Sequence, residues 1–171
     1  MVKIVSLIFI IVGCAAFGFT KASQIRERLF LLEEFSEMLI KLSTEISYFK
    51  EPLPQLFKRF SDEQNNRSSS ILKYCYRQYE EENIPLLASW NEGIIMAYKG
   101  TLVTDDDIHI MEKVGQFIGQ SNWERQEEHF KLVSIQLNRQ IESARQMIST
   151  KGNMYKKMGI SIGVVIAVIF I

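Results

Sequence analysis

Apolar residues are unevenly distributed along this chain. No charged residue falls between Ile4 and Phe19 or between Met158 and Ile171, and between those two runs apolar positions recur at helical spacing. Ile25, Leu32, Leu39 and Ile46, interleaved with Phe35, Leu42 and Phe49, predict one long helix that must stop where Pro52 and Pro54 forbid continuation. A short second helix through Leu56, Phe57 and Phe60 is expected to end in the polar run from Ser61 to Asn66. A third spans about Ser68 to Glu82 and carries Ile71, Leu72, Cys75 and Tyr79 on its apolar face.

Pro85, after Asn83 and Ile84, is read as opening a fourth helix through Leu86, Trp90, Ile94 and Ala97 that closes near Gly100. Thr104 with Asp107 three residues on is a capping box for a fifth helix holding Ile108, Met111, Val114 and Ile118. Ser121 and Glu124 repeat that signature ahead of a long sixth helix, with Trp123, Phe130, Val133, Leu137, Ile141, Ala144 and Ile148 at near-heptad spacing. No stretch alternates apolar and polar residues long enough to predict a strand, so the expected fold is an all-α six-helix bundle flanked by apolar ends.

Charge decides what those ends are. The chain of 171 residues is formally neutral, yet residues 29–150 hold 13 Lys/Arg against 19 Asp/Glu, a net of −6. The uncharged runs, 16 and 14 residues long, read as short N- and C-terminal transmembrane helices. Lys21, Arg26 and Arg28 follow the first run and Lys151, Lys156 and Lys157 precede the second, against Lys3 alone on the far side. The positive-inside rule therefore places the acidic region in the cytoplasm and both termini outside, with Tyr155 joining the lysines at headgroup depth. The domains so expected are 1–20 as the first span, 21–150 as a cytoplasmic bundle, and 151–171 as a basic collar with the second span. Gly13 and Gly18 in the first run, and Gly159 and Gly163 in the second, permit close helix packing. An alternative reading takes Ile11 to Cys14 as a lipoprotein cleavage site, giving an exported lipoprotein or sensing coiled-coil module lipidated at Cys14.

An acidic bundle repels phosphate backbones, and no basic stripe with interleaved aromatics is present, so nucleic acid is not an expected partner. Asp105, Asp106 and Asp107 are consecutive on a helix, point about 100° apart, and suit a helix N-terminus better than a metal. Glu80, Glu81 and Glu82 fall at a helix C-terminal end, where the dipole disfavours them; they are either a solvated run or a docking patch for a basic partner. Glu45 and Tyr48, at the edge of the first helix, could pair internally or meet a partner. Lone Cys75 reads as a small apolar filler, and His109 as a surface residue. Gly115 and Gly119 read as packing positions. Neither a catalytic constellation nor a metal, cofactor, nucleotide or small-molecule site is expected, and the chain is read as no enzyme.

Three blocks in order carry a family resemblance: Glu45 to Tyr48 followed by Pro52-Leu53-Pro54; Gly115 to Ser121 with Gln126; and Lys151 to Gly159 leading into the apolar tail. With the length and both hydrophobic ends, they resemble the stage III sporulation protein AB family of endospore-forming Firmicutes. Asn122 stands where that pattern has an aspartate, and Ile118 where it has a leucine. The resemblance implies a non-enzymatic membrane subunit of the channel linking mother cell and forespore, located in the mother-cell membrane around the forespore. It further implies a soluble region similar to the cytoplasmic domain of the type II secretion platform protein. The implied partners are the operon's secretion-type ATPase, stage III sporulation protein AA, the other membrane subunits of the channel, and membrane lipids.

Overall fold

The structure is a computed structural model. It describes residues 2–48, 51–63, 65–118 and 123–152, together with residues 154, 158, 161, 165 and 166. Among these the chain forms α1 (Val2–Tyr48), α2 (Leu53–Glu63), α3 (Arg67–Glu82), α4 (Trp90–Tyr98), α5 (Asp105–Phe117) and α6 (Trp123–Met147), followed by a π turn at Ile148–Gly152. No strand occurs among the described residues, as the periodicity predicts. Two compact units divide the chain: Met1–Leu29 with Glu142–Ile171, and Phe30–Ile141.

The central unit, Phe30–Ile141, is a helical bundle. Leu32, Phe35, Leu39 and Leu42 on α1 and Phe130, Val133, Leu137 and Ile141 on α6 are buried at the expected spacing. Burying each of these side chains contributes about 1.5–3 kcal/mol. Pro52 starts α2, its carbonyl accepting the amides of Gln55 (3.0 Å) and Leu56 (3.1 Å). Pro54 lies in the first turn, where a missing N–H costs nothing.

Capping sets the limits of α3 and α5. Asn66 accepts from the Ser69 amide at 2.8 Å while its own amide donates to Ser69 Oγ at 3.1 Å. Thr104 and Asp107 make the same reciprocal pair, Thr104 N donating to Asp107 Oδ2 at 2.9 Å and Asp107 N to Thr104 Oγ1 at 3.4 Å. Asp107 is fully buried by this role, which bears out the capping reading of the aspartate run. Asn83, with φ of 54°, ends α3 in the left-handed conformation, and Gly100, with φ of 75°, follows the end of α4.

Three expectations need correction. Pro85 does not open α4: its carbonyl accepts from Ala88 at 2.8 Å and Leu87 accepts from Trp90 at 3.2 Å, three-residue spacings that make residues 86–89 a turn, so the helix begins at Trp90. Tyr79 is exposed because the last turn of α3 buries nothing. The buried face of α5 is rotated slightly from the expected one, with Ile110 and Phe117 inside and Ile108 half-buried.

In the other unit, Ala22, Arg28, Ala144 and Gly152 are buried and Arg26 is exposed. Among the described residues no helix is long and apolar enough to cross a membrane. The side chains of residues 1–11 and the whole of 167–171 lie outside that set.

Candidate docking surface

Close backbone approach builds the frame around α3. A Cβ on Gly93 of α4 would come 3.2 Å from Ile71 Cγ2 and 3.4 Å from the Ile71 carbonyl, so α4 lies tight against α3. At the start of α4, Trp90 packs on Gly115 of α5, where a Cβ would stand 2.5 Å from Trp90 Cδ1. The indole Nε1 donates to the Met111 carbonyl at 3.1 Å. The packing reading of Gly115 therefore holds, while Gly119 lies outside the described residues.

At its N-terminus α3 is tied to two other helices. Glu34 of α1 accepts the Ser68 amide at 2.7 Å, Arg67 donates to the Ala97 carbonyl at 2.9 Å, and buried Ser68 Oγ shares a 3.1 Å hydrogen bond with Tyr98 Oη. Burial raises the Tyr98 phenol above its ordinary range, the Ser68 bond opposing it. None of these pairs is legible in the sequence, since their members stand at least 30 residues apart.

The C-terminal end of α3 is an acidic part of the surface. Glu80, Glu81 and Glu82 are all exposed, and no basic residue occupies the last turn to offset the helix dipole. Tyr76 donates to Glu80 at 3.1 Å and Gln78 to Glu82 at 3.3 Å. Glu92 of α4 accepts from Tyr74 at 2.9 Å, which raises the Tyr74 phenol above its ordinary value, with the charges of Glu92 and Glu82 adding to the rise. A groove of about 430 Å³ runs beside this end, lined by Lys58, Lys73, Tyr76, Arg77, Glu80 and Met96 among others.

Glu45 and Tyr48 part company. Glu45 accepts from Arg59 at 2.9 Å, and the same guanidinium donates to Glu51 at 2.8 Å and Glu63 at 3.5 Å. The hydrogen bond to Glu51 first, and that to Glu45 after it, raise Arg59 further above its usual value against the opposing effect of desolvation. Glu45 therefore has an internal partner, the first of the two roles open to it. Tyr48 is 81% exposed and lines a second groove of about 510 Å³ with Thr44, Ser47, Phe130 and Lys131.

The remaining candidates divide between described and undescribed residues. Lys151 is exposed within the π turn; Tyr155, Lys156, Lys157, Gly159 and Gly163, and the side chain of Lys21, lie outside the described residues. A Cβ at Gly13 would meet nothing within 4 Å, whereas Gly18 is buried. His109 is at the surface, 3.7 Å from Glu112, as expected, and Cys75 is buried with its thiol pushed up to about 12 by desolvation. Two features escaped the sequence reading: His129 stacks on Phe117 with ring centroids 4.8 Å apart, and Gln126 Nε2 is buried without a hydrogen-bond partner.

The family model described as stage III sporulation protein AB matches residues 3–171. This chain belongs to that family. A solved structure titled stage III sporulation protein AB shares the fold at a TM-score of 0.64 with 17% identity, over 71% of this chain and 96% of that one. No curated protein matches the sequence. Membership in the stage III sporulation protein AB family makes this a sporulation-related protein with an all-helical bundle, and it covers the three sequence blocks together with both apolar ends.

Proposed function

We propose that the chain is a non-enzymatic platform subunit of the channel between mother cell and forespore. It is anchored by residues 1–20 and 158–171 in the mother-cell membrane, and its acidic bundle docks the secretion-type ATPase, stage III sporulation protein AA. The observation that carries this reading is the acidic end of α3. Three exposed glutamates at a helix C-terminus cost stability, and a basic partner would offset what the fold does not. The titratable groups of the core support a structural role: Asp107 caps α5, and Cys75 stays protonated. The net charge of −6 keeps the bundle off anionic lipid, while the basic residues at both apolar ends hold the chain to it. The platform comparison with type II secretion follows the same logic of a helical adaptor between a membrane channel and its ATPase.

The test is co-purification of the full chain with the ATPase across a salt series. Glu80→Lys, Glu81→Lys and Glu82→Lys together should reduce recovery about tenfold, and binding should weaken as salt screens the contact beyond a Debye length of about 8 Å at physiological ionic strength. An affinity indifferent to both treatments sinks electrostatic docking. Orientation is checked separately with Lys99→Cys and a membrane-impermeant maleimide. Labelling only after permeabilisation is expected, and labelling of intact cells would assign the exported lipoprotein instead.

A further inference from the structure

The charged residues of α3 are sorted along its length. Arg67, Lys73 and Arg77 come first and Glu80, Glu81 and Glu82 last, all of them exposed. Lys73, Arg77 and Glu80 line a single groove with Ser70, Tyr76 and Met96, so positive and negative stretches share one face of the helix. Glu81, one turn beyond Arg77, falls beside them by helical spacing. A face that runs from positive to negative complements a second copy of itself laid antiparallel, because a two-fold axis brings the same patch of both copies together. Laid parallel, the same face would set like charges against each other.

We propose that α3 pairs antiparallel with α3 of a second copy of this chain. At a rise of about 1.5 Å per residue, an axis near residue 78 sets Arg77 of each copy opposite Glu80 of the other and leaves Lys73 within reach of Glu81. Met96, 63% exposed on the groove wall, and the ring of Tyr76 supply the apolar part of the contact. Each charge pair occurs twice, and the contact is reversible and salt-dependent, as exposed ion pairs are. The pairing does not rest on ATPase docking. Glu80 and Glu81 serve both, so a second copy and the ATPase compete for this end of α3.

The experiment is sedimentation velocity of the full chain in detergent micelles over a range of protein concentrations. The wild-type chain should form a dimer whose dissociation constant rises about tenfold or more in Lys73→Glu/Arg77→Glu, and likewise in Glu80→Lys/Glu81→Lys. An equimolar mixture of the two variants should recover a heterodimer, because each reversed face then meets its complement. The changed residues are solvent-exposed, and unchanged circular dichroism confirms that the variants fold. A wild-type chain that stays monomeric, a dimer insensitive to both reversals, or variants that fail to rescue one another overturns the proposal. Lys73→Glu/Arg77→Glu leaves the glutamates in place for the ATPase, so loss of pairing with retained co-purification separates this contact from docking.

Discussion

Gly115 has room for a hydrogen and little else. An added Cβ would lie 2.5 and 2.7 Å from Trp90 Cδ1 and Cγ, and the indole is buried and held by its bond to Met111, so it has nowhere to retreat. Gly115→Ala gains about 1 kcal/mol of helix propensity but meets an overpacking cost of about 1–3 kcal/mol, and the clash with a rigid ring puts the cost at the upper end. A net loss of about 1–2 kcal/mol should appear in guanidinium titration followed by circular dichroism; a stabilised variant would contradict this packing. Cys75 makes a pH prediction. Its folded-state value, pushed to about 12 by burial, exceeds the ordinary 9.0, so above about pH 9 the unfolded chain releases a proton that the folded chain retains. Stability is thus whole below pH 9 and falls between about 9 and 12, with Tyr98 acting in the same direction. In a Cys14→Ala background, thiol reagents at neutral pH should label the protein only as it unfolds. Labelling of the native state would refute the burial of Cys75.

Among the elements, α3 has an N-terminus held by both a local and a distant partner. Its N-terminus uses the local Asn66–Ser69 box and, in addition, the carboxylate of Glu34 from α1 on the Ser68 amide. Glu34→Ala should cost about 1–2 kcal/mol, the value of a charge-assisted cap, and Glu34→Gln less, since an acceptor oxygen remains; equal stability of both variants and wild type would remove this tie. The contrast between the two supports explains what the sequence revealed. Caps built within four residues, such as Thr104 with Asp107, and apolar faces repeated over many turns, as on α1 and α6, could be read directly. Pro85 could not, because proline fits both the first turn of a helix and a tight turn, and only the hydrogen bonds from Ala88 and Trp90 distinguish them. Two of the three carboxylates gathered on Arg59 were equally hidden: Glu45 and Glu51 precede it by 14 and 8 residues, spacings that no local rule connects, whereas Glu63 stands at the helical i,i+4 spacing.

For the whole molecule, sequence and structure divide the work. The acidic balance, the glutamate run of α3 and both apolar ends are visible in the residues alone, whereas the alignment of Lys73 and Arg77 with Glu80 along one groove needed the fold. The anchoring proposed for the two apolar ends predicts that the full chain stays with the membrane fraction through alkaline carbonate and high-salt washes; release into the supernatant would defeat the anchored reading. In the middle of the bundle α2 packs on α3, α3 on α4 and α4 on α5, contacts between helices adjacent in sequence. Such contacts close short loops and form fast, whereas any contact between α1 and α6 must close a loop of most of the chain. During synthesis the middle of the protein can therefore assemble while α6 is still inside the ribosome. The fold is completed only when the last helix emerges.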